Sequence, residues 1–228
     1  MTAPSGSTAE PPTTPGDGRA GLRAVLFDFG GVMTSSPFDA FAGYEAANGL
    51  PAGFLRGLNA NDHHANAWAR LERGELSITE FATVFESEAL SAGHEVDGRA
   101  ILSLVGGELR PAMVEVARHC HERFLTAVAT NNFPAAGNAA TLNSRFASVL
   151  ELFDEVVESS RIGLRKPEPA FYLACCEQLA IRPQEAVFID DLGVNLKPAR
   201  QLGMTTIKFV TEAQAISDLE KTLGIPLR

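Results

Sequence analysis

Five short apolar runs, at 23–29, 124–130, 153–158, 186–190 and 205–210, alternate with stretches of helical patterning, and this alternation limits the fold more than any other feature. Strands joined through helices run parallel, and a parallel sheet needs helices on both faces. The expected class is therefore α/β, a Rossmann-like parallel sheet flanked by helices. The gap between the first two runs, from about 34 to 124, is much the longest. Its last part, 111–123, opens on Pro111 and carries apolar Met113, Val114, Val116 and Ala117, the pattern of a crossover helix. What remains, 36–110, contains helical patterns at 38–48, 51–58, 64–72, 78–91 and 97–105, broken by Gly49, Gly74, Gly93 and Gly106-Gly107. No strand pattern interrupts them. The expected organisation is a disordered tail at 1–20, rich in Thr, Pro, Ser and Gly, a core formed by 21–35 and 111–228, and a small helical cap at 36–110 inserted after the first strand.

Composition removes several classes of partner. A formal charge of −9 and a pI near 5.1 do not supply the clustered cations that nucleic acids or anionic membranes require. Lysine is scarce, at positions 166, 197, 208 and 221 alone. Cys120, Cys175 and Cys176 are odd in number and lack CxxC spacing, so neither a disulfide framework nor a thiolate metal site is expected. No apolar run is long enough for a signal-peptide core or a membrane span. These features predict a cytoplasmic protein acting on a small molecule.

The polar residues that matter fall at strand ends. The run Ala24-Val25-Leu26-Phe27-Asp28-Phe29-Gly30-Gly31-Val32 places one carboxylate where an apolar strand stops and turns on paired glycines. Strand interiors are depleted in Asp, whereas the carboxyl ends of strands in open α/β sheets gather ligands and reacting side chains. The second strand ends in Thr130-Asn131-Asn132, the loop after the third carries Gly163-Leu164-Arg165-Lys166-Pro167-Glu168-Pro169, and the fourth ends in Asp190-Asp191. In a parallel sheet these ends share one edge. The resulting set can do covalent chemistry: a carboxylate attacks, a hydroxyl and N–H groups hold a transferring group, and an ammonium balances charge. Three clustered carboxylates raise one another's pKa, a conflict that one hard cation such as Mg²⁺ removes.

In their order along the chain, Asp28, Thr130, Lys166 and Asp190-Asp191 resemble the four motifs of the haloacid dehalogenase-like hydrolases. The likeness spans about 22–212. Its later part, Lys166 to Pro169 with Phe188 to Arg200 and Leu202-Gly203-Met204, is similar to the phosphatase domain at the amino end of soluble epoxide hydrolases and to related domains fused to acyl-CoA dehydrogenases. The resemblance implies Asp28 as nucleophile, Thr130 and the Asn131 N–H as phosphate binders and Lys166 as a charge clamp. It also implies Mg²⁺ held by Asp28, the backbone carbonyl of Gly30 and Asp191, with Asp190 either a ligand or bonded to Lys166.

Gly30 departs from that family's phosphatase pattern, which places an acid/base Asp there. Such a group is typically worth about 3 to 5 kcal/mol, and its loss weighs most on alkoxide leaving groups. The expectation is a phosphatase that is weakened or restricted to activated esters. His63, His64 and Asp39 are candidates to substitute or to touch substrate. A binding module without turnover remains the alternative. Dehalogenation ranks lower, because it needs no metal and Asp190-Asp191 makes sense as part of a metal site. Phosphonate cleavage through a cap lysine is disfavoured, since 36–110 contains no Lys. Trp68, Leu71, Leu76, Ile78 and Phe81 read as cap core, as do Phe38, Phe41 and Tyr44, with room for one of these to line a pocket. Asn195 is expected to tie the Asp191 loop to its helix, and Arg161 and Arg165 are loop cations able to meet an anion. Oligomeric state is not legible.

Overall fold

Strand β1 (Ala24–Phe27) is fully buried and lies at the centre of a five-stranded parallel sheet in the order β3-β2-β1-β4-β5, with β2 Leu125–Thr130, β3 Glu155–Glu158, β4 Ala186–Asp190 and β5 Thr205–Lys208. This computed structural model describes residues 21–133 and 146–227; the expected tail at 1–20 lies outside them. Phe27 is in register with Val128 of β2 and Ile189 of β4, so Asp28, Thr130 and Asp190 reach the same edge of the sheet.

Alternation along β1 divides the core into two layers. Val25 and Phe27 face helix α6 (Pro111–His121), which buries Met113, Val116, Ala117 and Cys120, together with Ile216 and Leu219 of α9 (Glu212–Leu223). Ala24 and Leu26 face α7 (Pro169–Gln178) and α8 (Gly193–Gln201) through Phe171, Tyr172, Cys175, Leu196 and Ala199. The three cysteines are buried and unpaired.

Between β1 and α6 the chain forms α1 (Pro37–Ala47), α2 (Phe54–Ala60), α3 (Ala67–Glu72), α4 (Ile78–Ser91) and α5 (Gly98–Ser103). They enclose their own apolar cluster, in which Trp68 packs edge-on against Phe81 at 4.8 Å between ring centroids. The entering and leaving chain segments pair as an antiparallel bridge between Thr34 and Leu109, flanked by Ser35 N–H to Glu108 O at 2.8 Å and Arg110 N–H to Met33 O at 2.8 Å. Gly107 belongs to this ribbon because φ is +47° and a Cβ would meet Thr34 Oγ1 at 2.7 Å.

Several boundaries shift by one to three residues from sequence expectation, as at α2, β3 and β5, and two of the shifts have identifiable reasons. The first strand stops at Phe27 because the Asp28 carboxylate accepts the Phe29 N–H at 2.7 Å and the chain turns through Phe29–Met33. The helix expected at 64–72 begins at Ala67. Buried Asn66 caps it, accepting the Ala69 N–H at 2.9 Å, while its own amide donates to Asn59 O and Asn61 O and holds the preceding turn.

Candidate active site

The sheet edge carries a buried charge cluster. The Lys166 ammonium, 1% exposed, lies 2.7 Å from Asp28 Oδ1 and 2.9 Å from Asp190 Oδ2. Asp190 is completely buried; its carboxylate also accepts the Leu192 N–H at 2.7 Å and both oxygens accept from the Asn195 amide, at 3.1 and 3.0 Å. Asn195 thus ties α8 to Asp190 rather than to Asp191, and Tyr172 Oη donates to the Asn195 carbonyl at 2.7 Å. Asp28, Asp190 and Asp191 each offer an oxygen within 4.8 Å of the others.

Burial sets the electrostatics. It pushes the Asp28 carboxyl well above the ordinary value; Lys166 pulls it down, and Asp190 and Asp191 push it up again. Burial likewise raises Asp191 to about 6, with Asp190 adding to the effect. For Lys166 burial alone favours the neutral amine, but Asp190 and Asp28 outweigh it and hold the ammonium protonated. One ammonium against three carboxylates leaves an excess of negative charge on hard oxygen donors, the donor set Mg²⁺ takes.

Gly31, which sequence reasoning passed over as a turn residue, is built against this cluster. Its φ is +88°, and a Cβ there would come 2.5 Å from Asp191 Oδ2. The paired-glycine signal was visible; the approach of a carboxylate from a strand 160 residues away was not. Gly30 is the opposite case. It has ordinary φ −73° and ψ 121°, borders the cavity, and a Cβ there would meet nothing within 4 Å.

A cavity of about 420 Å³ opens above Asp28, between the sheet edge and the inserted helices. Asp28, Gly30, Asn131, Lys166, Asp191 and Asn195 border it from the core; Phe38, Phe41, Trp68 and Val105 form apolar walls from the helical side. His63 borders the cavity and His64 does not; their rings lie 4.0 Å apart and both are exposed. Asp39 is exposed on α1 and outside the lining. Thr130 is buried at the end of β2, with its hydroxyl 3.4 Å from the Asn131 carbonyl.

The Asn131 side chain clamps the Lys166 backbone, accepting its N–H at 2.8 Å and donating to its carbonyl at 3.0 Å. The same amide donates to Glu72 of α3 at 2.9 Å, and Glu72 accepts from Arg165 Nε at 2.6 Å. Arg73 adds an ion pair with Glu168 at 3.2 Å, and a Cβ at Gly74 (φ +74°) would strike the Ser160 carbonyl at 2.8 Å. The Leu71-to-Glu75 turn is therefore a docking element, not only the end of a helix. Arg165 is fixed by Glu72 and the His63 carbonyl, and Arg161 pairs with Glu158 away from the cavity.

A parallel α/β core with carboxylates and an ammonium at the strand ends, covered by an inserted helical unit, defines a class of capped α/β proteins with an oxygen-donor site. Residues 22–203 match the model of the haloacid dehalogenase-like hydrolases, and the chain belongs to that family of hydrolases. It is 34% identical over 216 residues to acyl-CoA dehydrogenase family member 10 of Mus musculus, covering 92% of this chain and 20% of that protein. Bifunctional epoxide hydrolase 2 of Mus musculus is 29% identical, covering 89% of this chain and 39% of that protein. The chain thus spans a fifth to two fifths of these two relatives. A phosphatase of Mycobacterium tuberculosis is 28% identical, with 80% of this chain and 85% of that protein covered. Among solved structures, a predicted HAD-like family hydrolase from Porphyromonas gingivalis superposes with a TM-score of 0.61 at 20% identity, covering 89% of this chain and 98% of that one. A HAD family enzyme from Bacteroides thetaiotaomicron, solved with magnesium and inorganic phosphate, gives 0.54 at 18% identity, covering 82% and 94%. These structures share the fold.

Proposed function

We propose that the chain is a Mg²⁺-dependent phosphatase acting on activated phosphate esters, with Asp28 as its nucleophile. The observation that carries this reading is the Asp28 carboxylate at the cavity floor, flanked by the Lys166 ammonium at 2.7 Å and by Asp190 and Asp191. The Mycobacterium phosphatase and the magnesium and phosphate bound in the Bacteroides enzyme support it by likeness. In this reading 36–110 caps a core of 21–35 and 111–228. The net charge of −9 weighs against a nucleic-acid or anionic-membrane partner, which leaves a small phosphorylated molecule as substrate, and three free cysteines fit a cytoplasmic setting.

Asp28 attacks phosphorus, the bond from phosphorus to the leaving oxygen breaks, and the departing oxyanion takes a proton from solvent. Water then attacks the aspartyl phosphate at phosphorus, releasing inorganic phosphate and restoring the Asp28 carboxylate. Lys166 balances charge on Asp28 throughout, while Asn131 fixes the Lys166 backbone and Asn195 fixes Asp190. In this reading Thr130 and the Asn131 N–H hold phosphoryl oxygens; Asn131 borders the cavity and Thr130 is buried at the end of β2. Asp28, Asp191 and the Gly30 carbonyl would hold Mg²⁺, which supplies charge neutralisation for the phosphoryl group when bound. Gly30 offers no proton, so aryl and acyl phosphates, whose leaving groups need none, are the favoured substrates.

The test is a Mg²⁺-dependent screen of acyl, aryl, sugar and lipid phosphates with wild type, Asp28→Asn and Gly30→Asp. Wild type should favour the first two classes and Asp28→Asn should lose all turnover. Gly30→Asp should extend turnover to alkyl esters, because position 30 borders the cavity and a Cβ there meets nothing within 4 Å. No turnover in wild type with robust turnover in Gly30→Asp would instead identify a disabled phosphatase, and a ligand-induced rise in melting temperature without product formation would identify a binding module.

A further inference from the structure

Among the described residues, three Lys and Arg side chains border the cavity, and two are committed. Lys166 is held by Asp28 and Asp190, and Arg165 by Glu72 and the His63 carbonyl. Arg56 is the third. It projects from α2 on the helical side, its guanidinium carbon 4.9 Å from the centre of the Phe38 ring. Arg56 is exposed, and its side chain makes no ion pair or hydrogen bond with the described residues. Asn59, one turn further along the same helix, borders the cavity beside it. Arg56 stands on α2 in the inserted helical unit, whereas Asp28, Lys166 and Asp191 stand at the sheet edge, and Phe38, Phe41, Trp68 and Val105 line the same cavity.

We propose that Arg56 is a specificity-determining residue that receives a second, distal anionic group, so that the preferred substrate carries a phosphate at one end of an apolar or aromatic body and a carboxylate at the other. This rests on the phosphatase reading above. A planar guanidinium already oriented by an aromatic ring presents its N–H fork to a carboxylate at reduced entropic cost. An apolar body suits the apolar side chains that line the same cavity. A 420 Å³ cavity holds an aryl phosphate with a short carboxylate arm.

The probes are the phosphate esters of 4-hydroxybenzoate, 4-hydroxyphenylacetate and 3-(4-hydroxyphenyl)propionate, each compared with its methyl ester. In wild type with Mg²⁺ at least one acid should show a KM about ten-fold below that of its ester, as expected for a charge-assisted pair. In Arg56→Met, which keeps an apolar stem against Phe38, that ratio should fall to near one. Equal KM values for every acid and ester in wild type would overturn the inference. So would a ratio that survives in Arg56→Met, or a loss that strikes acids and esters equally, which would place Arg56 on the phosphate. Direct binding of the same pairs to Asp28→Asn, with and without Arg56→Met, separates this from the phosphatase reading. Selective binding of acids that depends on Arg56, without phosphate release by wild type, removes the phosphatase and keeps the subsite. No selectivity in binding removes the subsite.

Discussion

Gly31 and Asp191 are in direct opposition: the Gly31 backbone, at φ +88°, leaves no room for a Cβ, which would sit 2.5 Å from the Asp191 carboxylate. Gly31→Ala therefore combines left-handed backbone strain with displacement of a site acid. It should cost at least about 1–2 kcal/mol of stability and weaken Mg²⁺-induced stabilisation. Thermal melts with and without Mg²⁺ check both; an unchanged metal response would separate Gly31 from the site.

Asp191 itself should trade stability for binding. Its folded-state pKa is about 6 against an ordinary 3.8, so the metal-free folded protein holds this proton more tightly than the unfolded chain does. The stabilising contribution of the protonated form is complete below the ordinary value and is lost as pH rises through about 6. Asp191→Asn, which removes the penalty, should be more stable than metal-free wild type by an amount on the order of 1 kcal/mol above pH 6 and converge with it as pH falls. The same variant should lose the gain in melting temperature that Mg²⁺ gives wild type.

Lys166 is a structural as well as a chemical requirement. Lys166→Met leaves Asp28 and Asp190 buried without their cation, and breaking a buried pair in this way costs about 3–5 kcal/mol. Asp190→Asn in the same chain should restore part of that loss, because one uncompensated charge is removed. Denaturant midpoints of the single and double variants give the coupling. Additive losses would contradict the ion-pair account.

Glu72 connects the inserted helices to the Lys166 backbone through Asn131 and to Arg165 directly. Glu72→Ala should leave buried Arg165 without its carboxylate, cost about 1–3 kcal/mol, and raise KM more than it lowers kcat. Steady-state kinetics on an aryl phosphate would show the split. An unaltered KM in a folded variant would mean that this contact plays no part in closing the cavity.

The layered core was legible because β1 reads Ala-Val-Leu-Phe without a polar interruption and α6 keeps Met113, Val116, Ala117 and Cys120 on one face. The site's charged members were legible because polar residues stood alone at the ends of those runs. Contacts that depend on distant segments were not. Nothing local at Glu72 announces Arg165 or Asn131, and nothing at Gly31 announces Asp191. Asn66 looked like one more polar residue in a helical pattern, yet its three hydrogen bonds end one turn and start the next helix. His64, a sequence candidate, is exposed and outside the cavity lining, and it is its carbonyl that takes part in docking, accepting from Arg73 Nη2 at 2.9 Å.

The central claim is that Asp28 becomes phosphorylated. Rapid-quench labelling with a ³²P-labelled aryl phosphate in the presence of Mg²⁺ tests it directly. The account predicts a transient, hydroxylamine-sensitive label on the peptide containing Asp28, absent from Asp28→Asn, forming and decaying fast enough to carry turnover. Phosphate release that persists in Asp28→Asn, or a label on any other residue, would contradict it.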